Sequence, residues 1–233
     1  MRGTQVSRLE GISDAVFGLA ITLIIVSLKA PESFRELLTT LQGFIGSGAC
    51  TLFVFQIWNR HYLYFRRYGL EDGVTRILNG VLLFVVVAYV YPLKFLFGAF
   101  FDSLFRVQVT STRMEWGDLP KLFIIYGFGF ALVYFLFGLM YANALRMADE
   151  LELTQLERLQ TKWIQWEHWL LASSGILSVL VAWLSPKPYS IFAGFAYFVI
   201  PIFLTVNGSK HGDAVRALKA QQAQAELEAQ SSS

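Results

Sequence analysis

Apolar positions in this chain gather into blocks rather than alternating with polar ones. Six stretches are apolar nearly all round: 12–30, 41–60, 77–97, 121–141, 168–186 and 189–207. Each approaches the ~20 residues that a helix needs to cross a ~30 Å hydrocarbon core. A water-facing helix would keep one polar face, and a membrane β-barrel would show alternating segments of ~10 residues. Neither pattern occurs. The blocks predict an all-α, polytopic membrane protein, a bundle of six transmembrane helices in one domain over 1–207. A polar tail follows over 208–233, rich in Ala, Gln and Glu and readable as a solvated helix. The last two blocks are joined by the short, proline-containing SPKPYS, and Pro201 predicts a kink in the sixth. The first block follows Arg2 and Arg8 and so resembles a signal peptide. Asp14 at its start and the lack of an A-x-A site predict a retained span instead.

Composition agrees with lipid as the solvent: 55% of residues are apolar and 15% charged, and the mean hydropathy is +0.49. A net charge of +2 supplies no basic field for phosphates, so no nucleic-acid partner is expected. Cys50 is the only cysteine, which excludes an intrachain disulfide and a cysteine-based zinc site. Lys and Arg set the orientation. With the N-terminus inside, twelve fall on inside segments and seven outside, which predicts cytoplasmic N- and C-termini. Segment 60–76 carries the strongest bias, and 98–120 is the long extracytoplasmic loop.

Charge within the blocks is confined to their ends, and Asp14 is the exception that carries chemistry. A carboxylate in hydrocarbon costs at least ~2.5–3.5 kcal/mol, so Asp14 should face protein or water. One reading is an interfacial helix cap, since Ser13 and Asp14 suit a helix N-terminus. The other is a polar network joining Arg8, Ser13 and Asp14 to another helix. Trp58 and His61, three apart on one face at the same boundary, and Asn79 at the start of the third block, are the candidate partners. Two ligands do not close a zinc shell, so no fixed metal site is expected.

Leu19, Leu23 and Val26 recur at i, i+4 and i+7 on the first span, with Thr22 one turn from Leu19 and Val26. The stripe admits two readings: a surface for helix or lipid packing, or a pore wall. Four copies around an axis would stack apolar rings that gate by dewetting, with a ring of threonine hydroxyls for an ion. Catalytic and nucleotide motifs are missing, as is T-V-G-Y-G. Neither enzymatic activity nor a cofactor is expected. The glycines of GFGFALVYFLFG suit close helix packing.

The segment RLEGISDAVFGLAITLIIVSLKAP resembles the first helix of bacterial members of the transmembrane protein 175 family of potassium channels, whose signature is R-x-x-x-F-S-D, an apolar stretch and a proline. Arg8, Ser13 and Asp14 match, and Ile12 stands in place of Phe. Trp58 and His61 resemble the second-helix W-x-x-H, and Asn79 and Pro92 resemble the third-helix pattern. The resemblance implies a homotetramer in the bacterial plasma membrane with four first helices around the pore. It implies conduction of potassium over sodium, modestly selective, without a carbonyl filter. Leu19, Leu23 and Val26 would then form the constriction, and Thr22 a hydroxyl layer. Arg8, Ser13, Asp14, Trp58, His61 and Asn79 would hold the pore helix in place. The competing function is a proton-coupled secondary transporter that uses Asp14 and His61 as a relay. A membrane scaffold with no flux is the third.

Overall fold

The structure is a computed structural model and describes residue 3 and residues 5–26, 31–105, 116–185, 187–198, 200–201, 212 and 215–216. Five α-helices follow in order: α1 (Arg8–Val26), α2 (Phe34–Tyr68), α3 (Gly73–Phe105), α4 (Leu119–Arg146) and α5 (Gln155–Leu184). A 3-10 turn, Trp116–Asp118, leads into α4, and a 3-10 segment, Lys187–Phe198, follows α5. All five α-helices are long and apolar enough to cross a membrane. The protein is therefore an all-helical, multi-pass membrane protein.

Of the predicted sixth span, 189–198 belongs to the 3-10 segment, which packs on α5 and α4. Residues 200–201 are helical, and 199 and 202–207 lie outside the described residues. The continuation beyond Pro201 lies outside them too, as does most of the polar tail and the centre of the 98–120 loop.

The helices overrun the apolar blocks because their ends are capped beyond the hydrocarbon. Ser33 Oγ accepts the Glu36 N–H at 3.2 Å, which starts α2 well before its apolar block. At 35 residues, α2 reaches about 50 Å at ~1.5 Å per residue, beyond the hydrocarbon core. It ends at Gly69, whose φ of 60° is the left-handed conformation that glycine enters without cost. The segment 60–76 is thus mostly helix, and the chain turns only across 69–72. Asp72 restarts the helix, with Oδ2 accepting the Val74 N–H at 3.1 Å. Thr154 and Glu157 form a reciprocal capping box that begins α5 thirteen residues before the apolar block at 168.

Packing places α1 at one edge of the bundle, against α2 and α3. Phe17, Ala20 and Ile24 are its buried face, against a core that includes Cys50, Val54 and Ile57 of α2 and Leu82, Val86 and Val90 of α3. α4 and α5 form the tightest pair. Gly127 and Gly175 face each other there: a Cβ on either would come within 2.7 Å and 2.6 Å of the other's carbonyl oxygen. Small residues let helix backbones approach where lipid supplies no hydrophobic drive between helices.

Candidate functional site

The site grows from the buried face of α1. Ser13 is fully buried and its hydroxyl donates to the Leu9 carbonyl at 2.7 Å. With its proton committed, Oγ can only accept from Asn79, whose Nδ2 donates to it at 2.9 Å. That fixes the amide, so Asn79 Oδ1 faces His61 Nε2 at 2.8 Å and accepts its proton. The chain Ser13–Asn79–His61 joins α1, α3 and α2 in one run. All three residues are fully buried. Phe17 and Phe65 hold the imidazole at ring-centroid distances of 5.4 Å and 4.6 Å.

Beside Ser13 on α1, Trp58 Nε1 donates to Asp14 Oδ1 at 2.7 Å. The short charged bond answers the question that Asp14 raised in the sequence. The carboxylate faces a second helix, rather than serving only as an end cap. Trp58 stacks on Tyr62 at 5.6 Å and 23°. Five of the six expected network residues therefore meet on the surface between α1, α2 and α3. Arg8 does not join them: it is exposed in the first turn of α1.

At the other end of α1, Lys94 of α3 donates to the Ile24 carbonyl at 2.9 Å. A cation there complements the negative end of the helix dipole. Pins at both ends leave α1 little freedom to slide against α2 and α3.

The opposite face of α1 is open among the described residues. Leu19 and Val26 are 53% and 70% exposed, and Ile12, Ala15 and Thr22 continue the same open face. Leu23 departs from its predicted stripe. It is half-buried and packs against the core at the flank of that face. Thr22 Oγ1 donates to the Gly18 carbonyl at 2.8 Å. Its proton is thereby held on the helix, and its lone pairs remain for a donor or a cation.

Sequence reasoning missed a second polar cluster. Asp72 accepts from the Thr75 hydroxyl and, at 3.1 Å, from Asn143 Nδ2 of α4. Arg146 Nη2 donates to Asn143 Oδ1 at 2.7 Å. Partial burial pulls the Asp72 carboxyl up, but hydrogen bonds from Thr75, Asn143 and the Val74 and Thr75 N–H groups outweigh it and hold the group below its ordinary value. The D-G-V-T run after the turn was the available signal, an Asp three residues before a Thr at a helix start. The Arg60–Glu167 ion pair at 2.9 Å, joining α2 to α5, also left no mark in the sequence pattern. Among the described residues, no three His, Cys, Asp or Glu side chains gather as a metal site.

Apolar helices of spanning length, three of them joined by buried polar side chains, define a multi-pass membrane protein. Comparison with known proteins gives the family. The family model described as "Endosomal/lysosomal potassium channel TMEM175" matches residues 8–89, which hold Ser13, Asp14, Trp58, His61 and Asn79. A "Potassium channel" of Marivirga tractuosa is 36% identical over 214 residues, 87% of each chain. A crystal structure of the potassium channel MtTMEM175, a threonine-to-alanine variant in complex with a nanobody–MBP fusion protein, superposes with a TM-score of 0.80 at 34% identity. That match covers 91% of this chain and 96% of the other. The chain belongs to the TMEM175 family, a family of channels and not of enzymes.

Proposed function

We propose that this protein is a passive, modestly selective potassium channel of the bacterial plasma membrane, formed by four copies with α1 of each lining the pore. Each copy would cross the membrane six times within 1–207, with the 208–233 tail and the N-terminus in the cytoplasm. The observation that carries the reading is the division of α1 into two faces. One is clasped to α2 and α3 by hydrogen bonds at both ends, and the other leaves Leu19, Thr22 and Val26 exposed. A pore helix needs both: a fixed register and a free wall.

In this reading Leu19 and Val26 make apolar rings that strip water from a passing ion or dewet the path. Thr22 lies between them and would offer a layer of four hydroxyl oxygens, one from each copy. Each keeps its proton on the Gly18 carbonyl, so lone pairs meet the ion. Leu23 sits at the margin of the wall and contributes less. Ser13, Asp14, Trp58, His61 and Asn79 position α1 and do not touch the ion; Arg8 stands at the pore's cytoplasmic approach.

The burial of His61 speaks against a proton-coupled transporter. Its ring is enclosed by Phe17 and Phe65 and bound to Asn79, and Asp14 is bonded to Trp58 and not to it. A relay needs titrating groups in contact with each other or with water.

Thiol blocking in proteoliposomes tests the proposal. Cys50 is buried, so the unchanged protein should conduct potassium and ignore a positively charged thiol reagent. Thr22→Cys should conduct until the reagent is added and then stop. Potassium flux in the labelled variant equal to that before labelling would remove Thr22, and with it this face of α1, from the pore.

A further inference from the structure

One cavity of the bundle belongs to none of these groups. It has a volume of about 220 Å³ and lies between α2, α4 and α5, where Arg60, Leu63, Arg67, Tyr141, Glu167 and His168 line it. The α5 turns beside it carry Trp163, Trp166 and Trp169, and Trp166 is exposed. Tryptophans concentrate at the membrane–water interface, so the cavity opens at the depth of lipid phosphates.

Two guanidiniums face one carboxylate. Arg60 is paired with Glu167 at 2.9 Å and lies 5.7 Å from the centre of the Tyr134 ring. Arg67 reaches Gln160 only at 3.5 Å, and its buried Nη1 has no hydrogen-bond partner. The excess positive charge selects an anion. His168 adds a second requirement. It is 1% exposed, and its Nδ1 lies 2.6 Å from the Ile164 carbonyl, which can only accept. The proton is therefore on Nδ1, and Nε2 of the neutral ring holds a buried lone pair without a partner. A ligand that completes the cavity brings an anionic oxygen for Arg67 and an N–H or O–H for His168. The room exceeds what a single bridging water needs.

The geometry points to a binding site for a membrane-lipid headgroup, a phosphodiester held by Arg67 with its ammonium or hydroxyl group donating to His168 Nε2. Phosphatidylethanolamine and phosphatidylglycerol meet both conditions. Phosphatidylcholine carries the same phosphodiester but no donor.

Native mass spectrometry of the detergent-purified protein, titrated with phosphatidylethanolamine or phosphatidylcholine, tests this. The unchanged protein should retain the ethanolamine lipid several-fold more strongly. Arg67→Gln should weaken that retention about tenfold, the usual effect of losing a charged hydrogen bond. His168→Phe should erase the preference between the two lipids while binding persists. Equal retention of both lipids by the unchanged protein overturns the site, as does an unaffected Arg67→Gln variant that keeps its helical circular dichroism. Millimolar inorganic phosphate should neither add mass nor displace the lipid. Displacement would make this a free-anion site and overturn the lipid assignment.

Discussion

At the residue scale, the clasp is a case of polar groups outweighing apolar ones. Between helices in lipid, apolar contact adds no hydrophobic drive, so the buried hydrogen bonds set register. Asn79 is central, because it holds both His61 and Ser13. Asn79→Ala should therefore cost about 1–3 kcal/mol, leaving the buried His61 N–H unpartnered and cutting the link from α3 to Ser13. Trp58→Phe should cost a similar amount by removing the indole donor to Asp14 Oδ1. Cys50 provides the readout, since a thiol-reactive dye reaches this buried group only on unfolding. An unshifted midpoint in Asn79→Ala would show the clasp to be idle.

Asp72 gives a pH prediction at the same scale. Its folded-state carboxyl is held below the ordinary value of 3.8, so its contribution is complete above that value. The contribution fades as pH falls toward the lower, folded value. Unfolding midpoints should drop on acidification through that window, and Asp72→Asn should flatten this part of the profile. A profile unchanged by the substitution would detach the 69–72 turn from acid stability.

Much of the clasp was legible in the sequence because Ser13, Asp14, His61 and Asn79 are polar residues stranded in apolar surroundings. Such a residue needs a partner, and candidates at the same depth are few. The Asp72–Asn143 and Arg60–Glu167 pairs lie at block ends, where polar residues are ordinary and water is a sufficient partner. Nothing in the sequence marks which of them pair.

At the element scale, hydropathy locates the helices but not their ends. It reports where lipid is, whereas capping decides where a helix stops. Ser33, Gly69 and the Thr154–Glu157 box carry the missing information. The glycines of the fourth block suit close packing, and at Gly127 the structure agrees, with Gly175 of α5 facing it. Gly175→Ala should cost about 1–3 kcal/mol, because the obstructing atoms include backbone that cannot rotate away. An alanine variant with the unfolding midpoint of the unchanged protein would mean that α4 and α5 have slack.

At the scale of the whole molecule, the proposed tetramer is what would turn the exposed face of α1 into a pore wall. A single chain surrounds no axis, so the proposed pore needs further copies to close it. Exposure also ranks the wall residues. Leu19→Ala should weaken discrimination between potassium and sodium, and Leu23→Ala should do so much less, since Leu23 packs against its own chain. Equal effects on the permeability ratio would place the wall on a different stripe. The sequence stripe contains Leu23 because i, i+4 spacing cannot tell the centre of a face from its flank. Only the placement of α2 and α3 resolves the two.

The reversal potential of the purified protein in a planar bilayer, with potassium on one side and sodium on the other, tests the central claim most directly. The account predicts a passive current that reverses on the potassium-selective side of zero and is indifferent to a proton gradient. A reversal potential that follows the proton gradient, or a bilayer that carries no current at any voltage, would contradict it.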